Sequence, residues 1–158
     1  MSIDDKQQQT TVNVQEKANL IWAIADKLVG VYKPHEYGNV ILPMCVIKRF
    51  EDTLAPTRDK VLETNKELDA KKIEMKRGFL ERAAGQKFYN LSRFTFDTLL
   101  ADADNIKDNF ESYLNHFSEN VIDIIYRMEF QKEIDKMADN GLLYLVIKEF
   151  CTTKAYLG

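Results

Sequence analysis

At 158 residues the chain has room for one domain with one modest core. Hydrophobic residues make up 45% and charged residues 30%, which excludes a disordered chain. No apolar run approaches the roughly 20 residues of a membrane-spanning helix. A net charge of −3 gives no global attraction to nucleic acid, but the charge is uneven. Residues 57–87 hold nine Lys/Arg against six Asp/Glu, net +3, and residues 97–140 hold four against eleven, net −7. One part of the molecule can therefore face phosphate while the other does not.

Residues 1–14 are polar, with Asp4, Asp5, Lys6 and three glutamines, and lack the layout of a signal peptide. They read as a loose, disordered arm, and the expected location is the cytoplasm. Ala18, Ile21, Trp22, Ala25, Leu28 and Val29 then recur at helical spacing and predict a first helix over 15–29, ended by Gly30. Trp22 on that stripe reads as a core anchor; a base-stacking role would require its ring to be exposed. Pro34 suits the first turn of a second helix. Its apolar face is Tyr37, Val40, Ile41, Met44, Ile47 and Leu54, and Pro43 predicts a kink.

Beyond Pro56 a third helix is expected over 58–84. Leu54, Val61, Leu68 and Met75 repeat every seven residues, but Asn65 and Lys72 thin the stripe. This helix should project, with one narrow face docked. Residues 86–98, rich in aromatics, read as a packed connection with room for one short strand. Ile106, Phe110, Tyr113, Leu114 and Phe117 form a clean helical stripe, and Ser118 before Val121, Ile122 and Ile125 suggests a capped short helix. Phe130, Ile134 and Met137 open another, closed by Asn140 and Gly141 in left-handed fashion. The nearly all-apolar 142–150 should be a helix buried on most sides. The expected fold is all-α, a single irregular bundle of about seven helices with a disordered N-terminal arm. The ending Tyr156-Leu157-Gly158 has no polar taper, which suggests a cut chain.

Catalytic signatures are missing. No two of the six glycines have the spacing of a dinucleotide fingerprint or a phosphate loop. His35 and His116 are too few and too far apart to build a zinc site. His35 with Glu36 sits where capping and dipole effects explain it. Asp102, Asp104 and Asp108 lack the glycine and terminal glutamate of a calcium loop and read as solvated helix ends. Cys45 and Cys151 lie in apolar stretches as small hydrophobes.

Three blocks carry a resemblance: Ile21-Trp22-Ala23-Ile24-Ala25-Asp26-Lys27-Leu28, then Tyr32-Lys33-Pro34-His35-Glu36-Tyr37-Gly38, then Val40-Ile41-Leu42-Pro43 with Ile47-Lys48-Arg49-Phe50. Together they resemble the N-terminal domain of type I restriction-modification M (modification) subunits, over nearly the whole chain from Val14. Residues 130–150 resemble that domain's closing helices. Where the family often has Leu-Arg-Gly, this chain has Leu28-Val29-Gly30, so a contact made by that arginine does not carry over.

The resemblance implies a division of the chain into the arm at 1–14 and the helical domain at 15–158. It also implies a larger protein whose methyltransferase domain, absent from this chain, binds S-adenosylmethionine and methylates adenine in double-stranded DNA. The Asn/Asp-Pro-Pro-aromatic motif of such enzymes is missing here, so the chain is expected to have no catalytic or cofactor-binding residues of its own. The implied partners are a specificity subunit, a second M subunit and, in some complexes, a restriction subunit, with no membrane. The first expected role is assembly and DNA clamping, with Lys71, Lys72, Lys76 and Arg77 as candidate phosphate contacts. The alternative is a pure protein-interaction module that docks the specificity subunit without touching DNA. Its candidate partner-helix contacts are Val61, Leu68 and Met75, along the thin heptad.

Overall fold

The structure is a computed structural model that describes the backbone of residues 3–152 and the side chains of residues 12–152. The helices are α1 (Ile3–Leu28), α2 (Gly38–Leu54), α3 (Arg58–Ala70), α4 (Arg77–Ala84), a single turn α5 (Phe96–Leu99), α6 (Ile106–Asn115), α7 (Glu119–Arg127), α8 (Gln131–Asp139) and α9 (Leu143–Thr152). The fold is all-α, as the periodicity predicts. The expected polar arm falls mainly on residues whose side chains lie outside the described part. Among the described residues the expected short strand is only an isolated antiparallel bridge, Asn90 to Phe117. It is held by Leu91 N–H donating to the His116 carbonyl (2.9 Å) and Ser118 N–H to that of Tyr89 (2.9 Å).

α9 is the centre of the bundle and packs against α1, α5, α6 and α8. Leu143, Val146, Ile147 and Phe150 are buried along it, so its unbroken apolar run meets neighbours on several sides. Phe96 on α5 lies edge-on to Phe110, Tyr113 and Phe150, with ring centroids 5.7–6.2 Å apart. Such edge-to-face pairs add to the burial of the rings themselves. The α6 stripe goes inward as expected, and Gly141 (φ +69°) ends the α8 segment in the left-handed region that a glycine adopts without strain.

One partly buried carboxylate ties α2, α5 and α6 together. Glu51 Oε1 accepts from the Phe96 backbone N–H at 2.9 Å and from the Tyr113 hydroxyl at 3.0 Å. Its Oε2 lies 3.5 Å from Lys48 Nζ, which also pairs with Asp52. The Phe96 N–H is an orphan donor at a helix start, so Glu51 acts as a cap supplied from another helix.

Two corrections concern helices. The expected helix over 58–84 is broken after Ala70, and α4 folds back on α3 as a hairpin. Lys71, Lys72 and Ile73 donate to the Glu67, Asp69 and Leu68 carbonyls at 3.0–3.1 Å, a Schellman closure with Lys72 left-handed at φ +58°. Leu54, Val61 and Leu68 are buried, so three positions of the heptad face the chain's own core. The fourth, Met75, is 89% exposed in the turn between α3 and α4. The second correction is Trp22, which is 71% exposed and not a core anchor. Leu20, Ile24 and Leu28 form the inward face of α1 instead. Two apolar stripes adjoin on this helix, and periodicity alone does not say which one meets the bundle.

Glu51→Ala removes the acceptor from Phe96 and Tyr113 and should lower the unfolding free energy by about 2–4 kcal/mol in a urea titration. Glu51→Gln keeps an acceptor and should cost far less. Burial pushes the Glu51 carboxyl above its ordinary 4.5, opposed in part by Lys48, the Phe96 N–H and the Tyr113 hydroxyl. The folded state then binds this proton more tightly than the unfolded chain. The contribution is complete below the ordinary value and is lost as pH rises through the folded one. The wild-type chain should therefore gain stability relative to Glu51→Gln as pH falls from neutrality into the carboxylate range; parallel pH profiles would contradict this.

Leu68→Asp buries an unpaired charge between α3 and α4 and should destabilise the isolated chain by about 3 kcal/mol or more. Hydrogen exchange should show amide protection in α4 falling first. Protection equal to wild type would mean that the hairpin does not depend on this side chain.

Candidate nucleic-acid and partner interface

The four basic residues singled out in the sequence cluster at the tip of the α3–α4 hairpin, not along two turns of one helix. Lys71 and Lys72 follow the end of α3, where the helix dipole favours cations. Both are exposed, and neither forms an ion pair among the described residues. Lys76 is turned inward, donating to Asn65 Oδ1 at 3.1 Å and pairing with Asp69 across the hairpin. Arg77 Nε pairs with Glu81 Oε1 at 2.8 Å. The tip therefore offers two free ammonium groups to an external anion, with two more cations already engaged. Arg58, another cation of this basic stretch, is also spent internally, donating to the Ser92 and Arg93 carbonyls at 3.2 and 2.9 Å.

Of the candidate partner contacts, Val61 and Leu68 are 2% and 6% exposed, closed off by the chain's own core. Only Met75 stands outside. Exposed apolar side chains include Val14, Ile21 and Trp22 on α1 and Val29 just after it, and elsewhere Leu42, Phe79, Ile124, Tyr126 and Leu145. A groove of about 310 Å³ runs between α1 and α2, lined by Lys17, Leu20, Ile21, Cys45, Val46 and Arg49. A larger groove of about 480 Å³ lies among α6, α7 and α8, with Leu114, Ile122, Ile125, Phe130 and Ile134 on its walls. Its charged rim is mixed in sign and partly self-paired: Arg127 to Asp123 at 3.0 Å, Lys132 to Glu129 at 3.7 Å. The sequence signals for both grooves are present as apolar stripes, but their outward edges are set by tertiary packing.

The remaining polar residues behave structurally. Glu36 Oε1 accepts from the Lys33 N–H at 2.9 Å, which holds its carboxyl below the ordinary value and closes the turn at Pro34–Glu36. His116 Nδ1 lies 2.6 Å from the Ser112 carbonyl, at the end of α6. Asp102 accepts from the side-chain amides of Asn105 and Asn109, as a solvated helix end does. Burial, reinforced by Asp97, pushes the Cys151 thiol up to about 12, and burial also raises that of Cys45. Both stay protonated thiols and poor nucleophiles at neutral pH. Among the described residues no group of three His, Cys, Asp or Glu could hold a metal ion.

Tyr32 packs beneath α8, with Lys136 Nζ 4.2 Å from its ring centroid. Burial, and then the nearby Glu133, push its hydroxyl well above the ordinary range, so it stays neutral. What the described surface presents is thus an exposed pair of lysines, an uncovered apolar helix face and two grooves, which suit binding better than chemistry.

The family model described as the HsdM N-terminal domain matches residues 17–150 of the chain. No curated protein matches it, and no solved structure does. The match runs from α1 into α9 and takes in the hairpin, both grooves and the Glu51 junction. The chain belongs to the HsdM N-terminal domain family, the N-terminal domain of the type I restriction-modification M subunit.

Proposed function

We propose that this domain serves assembly and DNA clamping in a type I restriction-modification methyltransferase. In the full-length protein a separate catalytic domain would bind S-adenosylmethionine and methylate adenine, in the cytoplasm. The complex would bring together two M subunits, a specificity subunit and, in some assemblies, a restriction subunit around double-stranded DNA. Family membership supports a place in such a complex.

The observation that carries the DNA contact is the pair Lys71 and Lys72, exposed and free of ion pairs among the described residues at the turn of the α3–α4 hairpin. Two ammonium groups at a tip can meet phosphates without reading bases, which fits a clamp whose sequence choice lies in another subunit. Lys76 and Arg77 are positioning residues on this reading, because their partners Asp69 and Glu81 hold the turn and the start of α4. The competing reading, a module that docks the specificity subunit and leaves DNA alone, is left with Met75 of its three residues.

In the assembled enzyme, Lys71→Glu with Lys72→Glu should weaken duplex binding. It should also flatten the log–log salt dependence by about 0.9 for each phosphate that is no longer neutralised, so by about 2 per M subunit. Lys76→Ala should change the salt slope little while lowering hairpin stability by about 0.5–1 kcal/mol. An unchanged slope in the double variant would remove the tip from the DNA interface and leave the interaction-module reading in its place.

A further inference from the structure

α4 has a side that the bundle does not use. Leu80, Ala83 and Ala84 are buried and face inward. At 100° per residue, Gly78, Arg82 and Phe79 fall within an arc of about 100° on the other side. Gly78 and Arg82 are exposed, and Phe79 is 47% exposed. Gly78 lies in the first turn of the helix, and no packing among the described residues asks for a glycine there. Its φ lies outside the left-handed region that holds Gly30, Gly85 and Gly141, and a Cβ built on it would meet no atom within 4 Å. Glycine is a poorer helix former than any residue but proline. A bare backbone at an exposed helical position, with no internal cause, marks a place where something outside the chain comes close.

The charges point to what that is. α4 has one carboxylate, Glu81, which lies outside the arc and pairs with Arg77 at 2.8 Å. Arg82, about one turn on from Gly78, forms no ion pair among the described residues. Lys76 is bound to Asp69, so the uncommitted charges of residues 71–82 are Lys71, Lys72 and Arg82 against Glu74 alone. A partner helix packed at Gly78 would cover Phe79 but would press on an unpaired guanidinium. A sugar–phosphate backbone meets both needs at once, with the C–H faces of its deoxyriboses toward Phe79 and a phosphate toward Arg82.

We propose that the backbone of duplex DNA crosses α4 at Gly78, with a phosphate held by Arg82 and an adjoining sugar against Phe79. The inference rests on the reading of the hairpin as a DNA contact and extends that contact from the tip along α4. Lys71 and Lys72 reach phosphates on long, flexible stems, whereas Gly78 admits the strand at one height on the helix and so fixes its register. No base edge takes part, so the contact holds DNA without reading its sequence.

The assembled enzyme is titrated with a DNA duplex over a range of salt, and the thermal unfolding of each variant is recorded beside it. Gly78→Gln puts a neutral side chain of better helix propensity into open space, so its unfolding midpoint should equal or exceed that of wild type. Its duplex binding should nevertheless weaken by about tenfold, because the side chain stands where the strand passes. Arg82→Gln should flatten the log–log salt slope by about 0.9 per M subunit. Lys71→Glu with Lys72→Glu is measured alongside. If that pair flattens the slope while either Gly78→Gln or Arg82→Gln binds like wild type, the tip keeps its role and this inference falls. If no variant changes duplex binding, the DNA reading of the hairpin falls and takes the inference with it. A Gly78→Gln chain that no longer copurifies with the specificity subunit or the second M subunit would make a protein the occupant and overturn the inference too.

Discussion

The fold depends on a carboxylate held mostly out of water. Glu51 satisfies the backbone N–H that starts the one-turn helix α5 and the hydroxyl of Tyr113 on α6, from a position on α2. An irregular connection between Gly85 and Ile106 can cross the bundle because its buried donors find partners of this kind. Ser92 and Asn90 do the same work locally, the Asn90 side-chain carbonyl oxygen accepting from the Ser92 N–H and the Ser92 hydroxyl from that of Phe94. With α5 fixed, Phe96 lies among Phe110, Tyr113 and Phe150, and α9 becomes the helix around which the others pack. The orientation of α1 follows. It leans on α9 with Leu20, Ile24 and Leu28 facing the bundle, which leaves the Trp22 stripe outside.

Much of this architecture is legible in the sequence. The α6 stripe, the left-handed stop at Gly141 and the buried run of α9 follow from periodicity and glycine chemistry, because each depends on residues within a few positions of one another. The break at Lys72 does not follow, since a lysine at φ +58° carries no turn signature. It is explained only by Leu68 and Leu80 both being buried where the two arms of the hairpin meet. Glu51 is equally silent in the sequence: its partners lie 45 and 62 residues away.

The candidate interface is half legible for the same reason. The basic run identifies the tip, but the pairing of Lys76 with Asp69 arises only once the chain folds back, seven residues apart being too far for neighbours on one helix turn. On α1 the residues of the apolar stripe are recognisable and their direction is not. Leu20, Ile24 and Leu28 stand one position before Ile21, Ala25 and Val29, so two adjoining stripes of nearly equal apolar weight compete for the core. The stripe with longer branched side chains and no alanines packs inward, where it fills more volume.

The α1–α2 groove and the α3–α4 hairpin are joined through α2. α2 forms one wall of the groove through Cys45 and Val46, and the same helix ends at Leu54, from which the turn Ala55–Thr57 leads straight into α3. The Thr57 hydroxyl donates to the Ala84 carbonyl at 2.8 Å and so pins the base of the hairpin to the end of α2. Glu51 lies between these points and locks α2 to the core. The end of α2 therefore sets where the hairpin starts. The direction in which the hairpin leaves α2 is thus tied to the core through hydrogen bonds that only the folded chain assembles, between residues 27, 45 and 62 positions apart.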